Sequence, residues 1–178
     1  MARTNRTDAE QRFRALYSAH GRAVLGFAVR RVAQPADAAD VVAEAFTVAW
    51  RRLADVPAEP ETRPWLFGVA RRVVANQRRG ELRRVGLHEK LRVSLGAIQA
   101  SSPDPADALA LTQPIAEAMA RLPETDREVL RLAAWEELNA SEIAMVLDVP
   151  AATVRTRLHR ARTRLRSVLD EQSAATRT

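Results

Sequence analysis

Residues 141–166 read Ser141-Glu142-Ile143-Ala144-Met145-Val146-Leu147-Asp148-Val149-Pro150-Ala151-Ala152-Thr153-Val154-Arg155-Thr156-Arg157-Leu158-His159-Arg160-Ala161-Arg162-Thr163-Arg164-Leu165-Arg166. Ser141 is placed to cap a short helix bearing Ile143, Ala144 and Leu147, and Asp148-Val149-Pro150 then turns the chain into a long second helix from about Ala151. Two helices that cross at a tight turn need a small residue where they nearly touch, which Ala144 supplies. They also need an apolar plug in the turn, which Val149 supplies. Glycine is the usual residue at the left-handed position of such a turn; Asp148 stands there and tolerates that conformation at some cost. On the second helix Val154, Leu158, Ala161, Leu165 and Val168 form one apolar stripe. Arg155, Thr156, His159, Arg160 and Thr163 lie on the opposite arc, with Arg157, Arg162 and Arg164 flanking the stripe. Such a helix fits a DNA major groove, its outward side chains at base edges and its flanking arginines on phosphates. The alternative is an ordinary arginine-rich surface helix.

The 178 residues hold 28 Lys+Arg against 22 Asp+Glu, a net charge of +6, and Lys90 is the only lysine. The positive charge is therefore arginine, whose planar fork suits phosphate and guanine edges. A second basic block comprises Arg71, Arg72, Arg78, Arg79, Arg83 and Arg84. Acidic ground lies before it at Asp37, Asp40 and Glu44, and between the two blocks from Asp104 to Asp148. Two arginine-rich elements separated by acidic stretches suggest two contacts with one polyanion and acidic faces for another partner. Cysteine is absent, which removes disulfide scaffolds, thiolate zinc sites and cysteine nucleophiles. His20 and His88 are unclustered, so no metal or other cofactor is expected. No apolar run approaches the roughly 18–20 residues of a membrane span, and a cytoplasmic protein is expected. Aromatic residues at 4% argue against an all-β sandwich.

The expected fold is all-α, in two small helical domains. Phe13, Leu16, Tyr17, Val24, Leu25 and Ala28 predict a helix over about 10–33, stopped at Gln34-Pro35. Asp37 is placed to cap a second helix carrying Val41, Val42, Ala45, Phe46, Ala49, Trp50 and Leu53. Thr62, with Pro64 in the first turn, opens a third. There Trp65, Leu66, Val69, Ala70 and Val73 cluster within about 140° at 100° per residue, with the arginines opposite. Ser101-Ser102-Pro103-Asp104-Pro105 marks a linker. The expected layout is a disordered start at 1–9, a helical domain at 10–84, a linker at 85–111, a helix-turn-helix domain at 112–170 and a disordered tail at 171–178.

Three blocks resemble the extracytoplasmic-function (ECF) group of bacterial sigma factors of the sigma-70 family. The run from Leu122-Pro123 through Asp126-Arg127, Ser141 to Ala144 and Val149 to Arg162 is similar to that group's fourth region. Asp37-Ala38-Ala39-Asp40-Val41-Val42-Ala43-Glu44-Ala45-Phe46 is similar to its polymerase-binding helix, and Pro64-Trp65-Leu66-Phe67-Gly68-Val69-Ala70-Arg71-Arg72 to its promoter-melting helix. The resemblance implies a factor that takes core RNA polymerase to promoters by recognition of −10 and −35 elements. It implies that Asp40, Val41, Glu44, Phe46 and Trp50 dock on the clamp helices of the largest polymerase subunit, with the flap of the second-largest subunit as a further contact. Ala43 stands where the group often carries glutamine. Trp65, Arg71, Arg72, Asn76, Arg78 and Arg79 would meet the −10 element, with the Asp55–Arg63 loop near a flipped-out base. Trp65 and Phe67 are the local aromatics, and core packing competes for Trp65. Thr153, Arg155, Thr156, Arg157, His159, Arg160 and Arg162 would read the −35 element. An anti-sigma factor is a further implied partner.

Two other classes compete. An enzyme would need a phosphate loop, a nucleophile elbow or an HExxH pattern, and the chain has none. A two-domain regulator that binds DNA without polymerase accounts for the C-terminal half. It has no use for the basic helix at Arg71–Arg84 or the acidic one at Asp37–Trp50.

Overall fold

The computed structural model describes residues 2–92 and 113–175, and every regular element among them is helical. In chain order these are α1 (Ala2–Val29), α2 (Pro35–Arg51), a 3₁₀ turn at Leu53–Asp55, α3 (Thr62–Arg92), α4 (Gln113–Ala120), α5 (Glu124–Ala134), α6 (Ala140–Leu147) and α7 (Ala151–Ala175). Two compact units result. One holds the chain up to Val56 and α3 from Val69; the other joins Pro57–Gly68 to the C-terminal helices. Among the described residues no helix is long and apolar enough to cross a membrane.

In the first unit α1 packs along α2. Leu16, Val24, Phe27 and Ala28 of α1 are buried, as are Ala38, Val41, Val42, Ala45, Phe46 and Ala49 of α2. Each large apolar side chain so enclosed contributes about 1.5–3 kcal/mol before entropy is counted. Tyr17 and Leu25, expected on the apolar face of α1, are 51% and 42% exposed. The helix drifts from a strict repeat and brings them round to the edge. Pro35 is the first residue of α2, behind Gln34, where its missing N–H costs nothing. Asp37 therefore sits in the first turn rather than at the cap, where its charge still favours the helix N-terminus.

In the second unit α7 packs against α4, α5 and α6. Val154, Leu158 and Ala161 bury beside Val129, Leu132, Ile143 and Val146. Leu165 and Val168, further along the stripe, are only half-buried. Thr62 Oγ1 donates to the Pro57 carbonyl at 2.8 Å, tying the loop to the start of α3, and Arg63 donates to the carbonyl of Glu136.

Several boundaries differ from the sequence expectation. Residues 2–9 belong to α1 and 171–175 to α7, because each prolongs a helix already anchored by packing. Residues 85–92 continue α3. The rest of the expected linker, with Ser101–Pro105, lies outside the described residues.

Candidate nucleic-acid and polymerase interfaces

α6 and α7 form the helix-turn-helix read from the sequence, with one change of cap. Asn139, not Ser141, caps α6. Its side-chain oxygen accepts from the N–H groups of Ser141 and Glu142 at 2.9 and 3.1 Å, and Glu142 reaches back to the Asn139 N–H at 2.7 Å. Asparagine followed three residues on by glutamate satisfies orphan donors reciprocally. At the other end Asp148 has φ 57 and ψ 50, the left-handed conformation expected of it. Val149 then donates to the Ala144 carbonyl at 3.1 Å, which closes the turn on the small residue.

That turn fixes what α7 shows to solvent. Arg155, Thr156, His159, Arg160, Arg162 and Thr163 are exposed, while Thr153 and Arg157 are half-buried at the edges. Among the described residues no side-chain hydrogen bond or ion pair engages Arg155, Arg157, Arg160 or Arg162. Arg164, expected to flank the stripe as a phosphate clamp, donates its guanidinium to the Asp126 carboxylate of α5.

On α3 Leu66, Phe67, Val69, Ala70, Val73 and Val74 are buried. Phe67, at 1% exposure, is thus core and cannot serve as a stacking surface for a base. Trp65 is half-buried, and Arg72, Asn76 and Arg79 follow it at helical spacings of seven, eleven and fourteen residues along one flank. Arg79 donates to Asn76 Oδ1, which orients both. Arg71 is half-buried and lies with Arg78 toward the other flank. Arg78 donates to the Arg31 carbonyl, so it braces the helix as well as charging it.

The outward face of α2 presents Asp40, Ala43, Glu44, Thr47, Trp50 and Arg51. Val41 and Phe46, expected on the docking surface, are 0% and 3% exposed. They belong to the core because their positions face α1. Phe46 meets the rings of Tyr17 at 4.8 Å and Phe13 at 6.2 Å, both edge-on. Trp50, 41% exposed, leans on Phe13 at 5.2 Å. Beside it opens a groove of about 370 Å³ lined by Glu10, Phe13, Arg14, Phe46, Thr47 and Trp50. Phe13 and Thr47 are additions to the surface expected from sequence. Spacing alone assigns Phe13 to the inside of α1, and Thr47 carries no apolar or acidic signal.

The chain matches the family Sigma-70 region 2 over residues 16–84 and the family Sigma-70, region 4 over residues 112–165. It is 34% identical over 163 residues to the ECF RNA polymerase sigma factor SigL of Mycobacterium tuberculosis, with 89% of each chain covered. The chain belongs to the ECF sigma factors. This sigma factor is also 30% identical over 161 residues to the RNA polymerase sigma factor NccH of Alcaligenes xylosoxydans xylosoxydans, with 88% of this chain and 86% of NccH covered. Among solved structures, CnrH in complex with the cytosolic domain of CnrY matches with TM-score 0.59 and 26% identity over 92% of this chain and 95% of that one. The sigma factor RpoE in complex with the anti-sigma factor NepR from Bartonella quintana matches in fold, with TM-score 0.65 at 23% identity over 89% and 96%. ECF sigma factors are initiation subunits that direct RNA polymerase to promoters; the group performs no catalysis of its own.

Proposed function

We propose a division of labour along this sigma factor. α7 reads the −35 element with Arg155, Thr156, His159 and Arg160 at base edges and Arg157 and Arg162 on phosphates, Thr153 holding the helix start against the backbone. α3 meets the −10 element along Trp65, Arg72, Asn76 and Arg79, with Arg71 and Arg78 adding charge from the other flank. The Asp55–Arg63 loop lies beside the flipped-out base. With Phe67 in the core, Trp65 is left as the local stacking surface, so strand separation leans on promoter quality. Asp40, Glu44 and Trp50 dock on the clamp helices of the largest polymerase subunit, with the α1–α2 groove taking an apolar side chain, and the C-terminal helices touch the flap of the second-largest subunit. The protein works in the cytoplasm, without a cofactor or catalytic step of its own. An anti-sigma factor is a further partner, a reading supported by the solved complex of RpoE with the anti-sigma factor NepR.

The observation that carries the reading is the division of α7 into a buried Val154–Leu158–Ala161 stripe and an exposed arginine face. Transcription with purified core polymerase and a genomic fragment library tests it. The expected result is a small set of discrete start sites that require both proteins. If the protein alone shifts the same fragments and core adds nothing, the regulator that acts without polymerase is the correct description.

A further inference from the structure

The foremost line of α7 is not arginine. At 100° per residue Ala152, Thr156, His159 and Thr163 fall within about 60° of one another, opposite the buried stripe. Arg155 and Arg162 stand to one side of that line, Arg157, Arg160 and Arg164 to the other. The side chains that would enter a groove first are thus mostly short.

Two of them are also chemically committed. Thr156 Oγ1 donates to the Ala152 carbonyl at 3.1 Å, and Thr163 Oγ1 to the His159 carbonyl at 3.0 Å. With its hydrogen given to the helix, the Thr156 hydroxyl accepts hydrogen bonds but does not donate them. What the exposed residue offers is a methyl group and an acceptor lone pair, beside the methyl of exposed Ala152. A helix 10–12 Å across enters a groove about 12 Å wide deeply only where its leading side chains are short. At that depth the groove floor offers one apolar group, the C5-methyl of thymine, and the pair that carries it also carries the adenine N6–H donor. A G·C pair also offers a donor, the cytosine N4–H2, so the methyl and not the lone pair is what singles out the A·T pair.

We propose that Ala152 and Thr156 read an A·T pair in the −35 element through the thymine methyl, separately from the contacts of the flanking arginines. This rests on α7 being the −35-reading helix.

The test uses holoenzyme made from this chain and core polymerase, with promoters selected from a library randomised in the upstream element. Each thymine in the selected element is replaced singly by deoxyuridine, which removes only the methyl group. One position is expected to lose about 4-fold in affinity, the worth of one buried carbon. Thr156→Ser, which keeps the hydroxyl, loses a similar factor on the thymine promoter and nothing further on the deoxyuridine promoter. Thr156→Val, which keeps the methyl, remains sensitive to deoxyuridine. Selection of only G·C pairs beneath α7 overturns the inference, as does indifference to deoxyuridine at every position or full additivity of Thr156→Ser with deoxyuridine. If the arginine variants still relax selection in those cases, the sigma reading stands and only this inference falls. Initiation without any sequence selection overturns both.

Discussion

The guanidinium of Arg164, on α7, is closed onto the carboxylate of Asp126 at the start of α5. The carboxylate end is 8% exposed and the arginine end 55%. Asp126 lies in the first turn of α5, where the unpaired N–H groups already favour negative charge. The pair therefore staples α7 to α5.

Breaking this pair should cost more than breaking an exposed ion pair does, because Arg164→Ala leaves the buried Asp126 carboxylate without its partner and Asp126→Ala disturbs a buried packing position. Asp126→Ala and Arg164→Ala are each expected to destabilise by about 1–2 kcal/mol, discounted for the solvent-open arginine end. The double variant should cost less than the sum of the two. Urea unfolding followed by helical circular dichroism measures this. Strict additivity would show that the two side chains do not act together.

The same ion pair separates Arg164 from the other arginines of α7, which are proposed to meet DNA. Arg155→Ala and Arg160→Ala are expected to cost about 1–3 kcal/mol of promoter binding and to relax specificity. Arg162→Ala should weaken all sequences alike and lower the salt slope by about 0.9 for the one phosphate it no longer neutralises. Arg164→Ala should leave that slope unchanged. Holoenzyme binding across a salt series distinguishes these cases, and a reduced slope for Arg164→Ala would assign it to phosphate after all.

For polymerase, the informative variant is Glu44→Arg with Trp50→Ala, both on exposed positions of α2. It should co-purify poorly with core polymerase while keeping its helical signal. Phe46→Ala should instead destabilise the first unit by about 3–5 kcal/mol, since it empties a core site beside Phe13 and Tyr17. If Phe46→Ala folds normally yet fails to bind polymerase, then Phe46 is a docking residue and not a core one.

How far the sequence reveals each feature follows from how local its cause is. The apolar stripe of α7 and the left-handed Asp148 are set within a few residues, so spacing and residue type expose them. The division of α2 between core and outward face is set by α1, a separate element. Val41 and Phe46 carry the same apolar signal whether they meet α1 or a partner. Arg164 shows the same limit, as its partner is 38 residues away in the chain. The Asn139–Glu142 capping box is legible in the residues, but Ser141 offers an equally good capping side chain two positions later, and only the backbone path decides between them.

The turn before α7 keeps a side-chain-bearing residue in the left-handed region. Asp148 holds φ 57 with a Cβ in place, a conformation that costs an ordinary residue about 1–2 kcal/mol and glycine almost nothing. Asp148→Gly and Asp148→Ala both remove the side-chain polar group, so their difference isolates the backbone. The glycine variant is expected to be more stable than the alanine variant by about 1 kcal/mol. Asn139→Ala, at the other end of the eight-residue α6, should cost a similar amount by freeing two capped N–H groups. Because α6 sets the angle at which α7 is presented, Asp148→Ala should also weaken holoenzyme binding to the upstream element, and Asp148→Gly should spare it. Equal urea midpoints for the alanine and glycine variants would mean that the turn relaxes out of the left-handed region when Asp148 is removed.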